Sequence, residues 1–227
     1  MIGMLSDENW IRDLPYHVQQ AIEERMSTVE IAAGSVFKHA GGAADGLYQV
    51  EEGYLRLLGL HSDGRQILIL IYRKGNTFGE TPMVAGRPFN HTTVALTEVR
   101  IKKVAQSDFW DLYHKHPDIP EALCRKFAWN ISRNFENREL RSTRRLSGQI
   151  VATMANVAKF CGKPEPDGAI SIALPITQID IAEHLEVTRQ AVQREMAKLK
   201  KTRLIEKRSG TWYCQRAEVL LSAIEPD

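Results

Sequence analysis

The stretch Ile176–Lys201 constrains this chain more than any other segment. Thr177 suits a helix N-cap, and Asp180 three residues later makes a carboxylate variant of the capping box. Ile181 and Leu185 then lie on one apolar stripe, and Glu186–Val187 make a turn. Thr188 caps a second helix, whose inward face is Ala191, Val192, Met196 and Leu199. Its other face carries Arg189, Gln190, Gln193, Arg194 and Lys198. Two short helices with this pattern predict a helix-turn-helix, whose second helix enters the DNA major groove. Arginine reads guanine bidentately and glutamine can read adenine. A plain two-helix hairpin with a solvated charged face is the competing reading.

Charge distribution favours the first. From Glu186 to Arg208 eight basic residues stand against three acidic ones, a net +5, whereas the whole chain of 227 residues carries only +2. A local basic block is the footprint of a phosphate-contacting surface. Composition is otherwise that of a globular protein, with 43% hydrophobic and 26% charged residues. Cys124, Cys161 and Cys214 are widely spaced and form no C-x-x-C pair, which predicts free thiols and a cytoplasmic setting. The N-terminus MIGMLSDENWIRDL lacks the basic and apolar regions of a signal peptide, and no apolar run has the length of a membrane span.

Texture changes along the chain. Residues 6–27 read as short helices, the second starting at Pro15. Between Val29 and Lys103, short β-rich runs alternate with glycines: Val36–Phe37, Leu47–Val50, Tyr54–Leu58, Gln66–Tyr72, Thr92–Leu96 and Val99–Val104. Strands so punctuated predict an antiparallel barrel or roll, with Asp63–Gly64 in a hairpin turn. Ser107–His116 is expected as a short helix stopped by Pro117, and Asp118 to about Arg145 as a long one. Ile119, Leu123, Phe127 and Ile131 form a stripe on it, continued by Asn134 and Phe135. Such a narrow stripe is either buried or a dimer seam. Ser147–Gly148 is expected as a hinge, Ile150–Phe160 as a helix and Gly162–Gly168 as a loop. Leu204–Tyr213 reads as a hairpin with Ser209–Gly210 at its tip, hence a wing.

A glycine-punctuated roll, a long helix and a C-terminal winged helix-turn-helix, in that order, resemble the Crp/Fnr family of bacterial transcription regulators. The residues that carry the resemblance are AAGSVFKHAG at 32–41, GLYQVEEGYLRL at 46–57, GNTFGE at 75–80, VALTEVRI at 94–101 and Arg189-Gln190-x-x-x-Arg194. The resemblance implies an α+β fold with an effector-sensing roll over residues 1–116, a dimerisation helix over 117–146 and a DNA-binding domain over 147–227. It places base or phosphate contacts at Gln178, Thr188, Arg189, Gln190, Gln193, Arg194 and Lys198, with Thr188, Gln178 and Lys198 on phosphates. It places an effector pocket at Gly79, Glu80, Thr81, Arg87, Phe89, Asn90, His91, Asn134 and Phe135. The dimer seam is expected at Ile119, Leu123, Phe127 and Ile131.

Two departures matter. Where cyclic-nucleotide-binding members carry an Arg-Ser or Arg-Thr pair for the phosphate, this chain has Phe89 and Asn90. Asn134 and Phe135 stand where relatives that bind cyclic AMP offer hydroxyls. Glu80, the ribose-contacting position, is kept. Without the cation a cyclic phosphate loses on the order of 100-fold in affinity. The effector is therefore expected not to be a cyclic nucleotide, or the pocket to be closed by Phe89 and Phe135. Second, Glu186 occupies a turn position where glycine is usual, costing roughly 1 kcal/mol in a left-handed backbone.

Other constellations are weaker. His114 and His116 are two apart and do not share a helical face, so no metal site is assigned. His91 could hold an anion when protonated, or simply line the pocket wall. No P-loop, dinucleotide fingerprint or nucleophile motif is present, so no enzyme and no cofactor is expected. Partners expected are double-stranded DNA, a second copy of the chain and a small effector, with RNA polymerase a further candidate and no membrane. The alternative is a ligand-binding or scaffold protein whose winged helix meets protein, which the basic block at 186–208 disfavours.

Overall fold

A computed structural model describes residues 3–222. The chain forms two compact units. One, the roll unit, contains Ser6–Arg65 and Ile71–Ser132; the other, the winged unit, contains the described residues before Ser6, Gln66–Leu70 and the described residues from Arg133 onward.

The roll unit opens with α1 (Tyr16–Glu23), entered through Pro15, whose fixed φ suits a helix start. In chain order the strands are β1 (Ser27–Ile31), β2 (Val36–Lys38), β3 (Gly46–Glu52), β4 (Leu55–Leu60), β5 (Gln66–Tyr72, of which Gln66–Leu70 groups with the winged unit) and β6 (Thr77–Phe78). After the short α2 (Glu80–Ala85) come β7 (Thr92–Ala95), β8 (Val99–Ala105) and α3 (Gln106–Lys115). Two antiparallel sheets result, of order β1-β8-β3-β6 and β2-β7-β4-β5. Strand alternation gives β3 two buried faces. Tyr48 joins Leu55, Phe78, Phe89 and Ile101 inside the roll, while Leu47 joins Trp10, Val18, Phe109 and Leu112 of the helical layer. Gly79 has φ +100°, and a Cβ there would lie 2.3 Å from the Gly46 carbonyl oxygen; only glycine lets the chain turn into α2 so close to β3.

Helix α4 (Asp118–Thr143) begins with Pro120 in its first turn, where a missing N–H costs nothing. It then runs from the roll unit into the winged unit. It ends at Arg144–Arg145, and α5 (Leu146–Cys161) starts at once. The expected hinge at Ser147–Gly148 is thus helical: both residues lie in the first turn of α5, and the chain breaks two residues earlier. The Gln149 side chain donates to the carbonyls of Arg141 (2.9 Å) and Arg144 (2.8 Å), which satisfies groups left open at the end of α4. Helix α5 is the core of the winged unit, with Ile150, Val151, Met154 and Val157 buried.

The expected loop at 162–168 is instead largely a hairpin. β9 (Gly162–Pro164) pairs with β10 (Ile170–Ile172) across a turn in which Gly168 has φ +84° and Asp167 accepts from the Ala169 N–H. These strands extend the wing, β11 (Ile205–Arg208) and β12 (Thr211–Cys214), into a sheet of order β11-β12-β10-β9. Between them lie α6 (Gln178–Leu185) and α7 (Arg189–Lys201); α8 (Ala217–Ser222) follows. Ser209 and Gly210, both at positive φ, close the wing hairpin at the expected tip.

Candidate nucleic-acid interface and effector pocket

Local chemistry fixes helices α6 and α7. The Thr177 hydroxyl accepts from the Asp180 N–H, and the Asp180 carboxylate accepts from the Thr177 N–H at 2.7 Å, which completes the expected capping box. The Thr188 hydroxyl caps α7 by accepting from the Ala191 N–H. Val192, Met196 and Leu199 are buried against the unit, so the opposite face of α7 points outward. Arg189, Gln190, Gln193, Arg194 and Lys198 are all exposed on it; Lys198 pairs with Glu195 at 2.8 Å. Gln178 lies half-buried at the start of α6. The turn between the helices is left-handed at Glu186, with φ 59°.

The structure holds that turn through residues the sequence did not single out. Arg141, near the end of α4, donates to the Glu186 carboxylate at 2.6 Å and to the His184 carbonyl at 2.6 Å. His184 is fully buried, and its Nδ1 lies 3.0 Å from the Leu68 carbonyl oxygen. Burial, reinforced by the Arg141 charge, pushes the His184 imidazole down to about 4, so it is neutral. At the other side of the unit, the Asn156 amide makes paired bonds to the Leu5 backbone, at 2.8 and 3.2 Å. Arg133 donates to the carbonyls of Gly3 and Leu5.

The residues expected to line an effector pocket differ in burial. Glu80 and Phe89 are buried in the roll unit, but Thr81, Arg87 and Asn90 are exposed on its surface, as are Asn134 and Phe135 on α4. Phe89 packs with Tyr48, Leu55 and Phe78, so it does fill the roll interior. Phe135 is 68% exposed. His91 is half-buried, and burial lowers its imidazole, which favours the neutral form over an anion-holding cation.

Glu80 already has a cation. Lys126 of α4, 5% exposed at its side chain, pairs with Glu80 and lies 3.1 Å from the Glu8 carboxylate. Its ammonium also donates to the carbonyl and hydroxyl oxygens of Thr77, and that hydroxyl in turn accepts from Trp10 Nε1 at 2.8 Å. The N-terminal segment, the β6–α2 corner and the long helix are thereby clasped around one ammonium. Two carboxyl groups share this one cation. Burial pushes the Glu8 carboxyl up, with the neighbouring Glu80 adding to it, and Glu80 Oε2 is buried without a hydrogen-bond partner among the described residues. A lysine within a mostly polar helix carries no periodic signal, so sequence reasoning missed it.

The expected dimer stripe also needs correction. Ile119 and Leu123 are 1% and 2% exposed in the roll unit's own core, with Phe127 packed against them. They are committed to intramolecular packing. The outward-facing run on α4 is Cys124, Ala128, Ile131 and Phe135, spaced four, three and four residues. That is a heptad spacing rotated away from the buried stripe. Among the described residues no helix is long and apolar enough to cross a membrane.

Fold and site define a class. A cyclic nucleotide-binding domain matches residues 28–116, and a Crp-like helix-turn-helix domain matches residues 144–221. The HTH-type transcriptional regulator Cmr of Mycobacterium tuberculosis is 24% identical over 185 residues, covering 82% of this chain and 71% of that protein. The cAMP-activated global transcriptional regulator CRP of Pasteurella multocida is 26% identical over 185 residues, covering 78% of this chain and 84% of that protein. In fold, the c-di-GMP responsive global regulator CLP of Xanthomonas campestris superposes with a TM-score of 0.75 at 14% identity, covering 88% of this chain and 99% of that one. The chain belongs to the Crp/Fnr family of transcription regulators, and it is a DNA-binding regulator.

Proposed function

We propose that the chain binds a palindromic operator as a homodimer in the cytoplasm and does so without a cyclic nucleotide. The observation that carries the DNA reading is helix α7, which buries Val192, Met196 and Leu199 and exposes Arg189, Gln190, Gln193, Arg194 and Lys198 on one face. Arg189 and Arg194 read guanine, Gln190 and Gln193 face base edges, and Thr188, Gln178 and Lys198 contact phosphates. Twin recognition helices would occupy half-sites about one helical turn apart. The exposed run Cys124, Ala128, Ile131 and Phe135 supports a seam between two copies of α4.

The roll departs from what a cyclic nucleotide needs. Phe89 packs into the core where a phosphate-holding cation is expected, and Lys126 engages Glu80. Any effector is a small molecule of other chemistry, reaching DNA affinity through α4; RNA polymerase is the further partner of such a regulator.

Selection of binding sites from random DNA tests the reading. Arg194→Ala should cost roughly 1–3 kcal/mol on the selected site and relax one base position, while Lys198→Ala should weaken all sequences alike and reduce the salt slope. Phe135→Glu should yield monomer in sedimentation. Calorimetry with millimolar cyclic AMP or cyclic GMP should show no saturable heat. Unchanged selectivity in Arg194→Ala would remove α7 as the reading helix.

A further inference from the structure

Among the described residues, three that are not glycine adopt positive φ: Glu186, Arg203 and Ser209. Arg203 and Ser209 flank and close the wing hairpin. Glu186 joins the two helices of the reading head, where glycine would fit without strain. Its carboxylate is the part that glycine lacks, and that carboxylate is bonded to Arg141 of α4. The same guanidinium donates to the His184 carbonyl in the last turn of α6, where helix carbonyls lack internal partners and the dipole favours a cation. One planar group thus grips the turn at two points, a geometry that lysine does not match.

We propose that Arg141 and Glu186 are positioning residues for DNA recognition, a latch through which the end of α4 sets the N-terminal end of α7. The proposal rests on the reading of α7 as the base-reading helix and α4 as the dimer helix. Glu186 stands two residues before Thr188, the cap of α7, and three before Arg189. Between α4 and α7 the covalent route passes through the whole of α5, β9, β10 and α6. The Arg141–Glu186 contact bypasses that route, so a change in the direction of α4 reaches the recognition helix directly. His184 backs the latch: its ring bonds the Leu68 carbonyl on the face of α6 turned away from solvent.

A purely structural role and a positioning role give opposite results at one substitution. Glu186→Gly relieves the left-handed strain and removes the latch. If positioning is its purpose, the urea midpoint holds or rises, while affinity for the selected operator falls about tenfold, the size of a typical coupling between sites. Binding to random DNA, which depends on phosphates alone, should not change. Arg141→Ala and Arg141→Lys should give the same operator-specific loss. The double variant Arg141→Ala with Glu186→Gly should be no weaker than either single, because both remove one interaction. Glu186→Gly with wild-type operator affinity, or single losses that add in the double variant, would overturn the latch. Failure of the wild-type chain to select any sequence would instead overturn the DNA reading beneath it.

Discussion

Two of the ionic clasps on helix α4 differ in what surrounds them. In the roll unit Lys126 is almost wholly buried between Glu8, Glu80 and Thr77. In the winged unit Arg141 is 28% exposed and Glu186 50% exposed. Burial makes the first clasp costly to break, because each ion left alone has lost its water. The second contributes less to stability, because water reaches the half-exposed Glu186 carboxylate and screens the pair. The buried clasp therefore contributes more to stability, while the more open one can be made or broken at lower cost. A contact of small stability is the kind that can serve regulation.

The largest effect should come from Lys126→Met. It leaves two buried carboxylates without their cation and should cost about 3–5 kcal/mol in urea unfolding. Adding Glu80→Gln should recover part of that loss; a single variant as stable as wild type would mean the clasp is not buried in solution.

Acid should separate the two units next. Neutral His184 contributes its full stability above the ordinary imidazole value of 6.5, and the contribution is lost as pH falls toward about 4. The loss is on the order of 3 kcal/mol. Glu8 acts with the opposite sign. Its carboxyl is pushed up, so the penalty of its buried charge is full above that raised value and fades as pH falls below it. Hydrogen exchange should therefore show α6 amides losing protection between pH 6.5 and 4 ahead of the roll strands. His184→Gln should flatten that response; an unchanged response would place its cause elsewhere.

The smallest effect sharpens the contrast on one helix. Arg125 neighbours Lys126 but pairs with Glu121 in the open, at 59% and 70% side-chain exposure. Arg125→Ala should change stability by no more than about 0.5 kcal/mol in the same urea titration. A loss as large as that of Lys126→Met would show that position on α4, not burial, governs these clasps.

Legibility followed locality. The capping box at Thr177, the cap at Thr188, the wing tip at Ser209–Gly210 and the glycine-bounded strands depend on residues within a few positions, and each was readable from the chain. Left-handed Glu186 was readable too, although its partner was not. Expectations failed where a choice depended on distant packing. Ile119 and Leu123 have the spacing of a seam, but whether a stripe turns inward or outward depends on what lies against it; here Trp10, Leu14 and Phe109 do. Ser147–Gly148 carries small residues suited to a hinge, yet the apolar length of α5 draws both into a helix.

By itself the sequence determined the order of the modules and the chemistry of the exposed face of α7, since helix periodicity, capping and turn residues act through near neighbours. Tertiary structure alone decided that Lys126 would take Glu80, that Arg141 would hold the turn between α6 and α7, and that Phe135 would face outward. The physical reason is distance along the chain. Glu80 lies 46 residues from Lys126, and Glu186 lies 45 from Arg141. No local pattern of charge or hydrophobicity specifies a partner that only folding brings within hydrogen-bond reach.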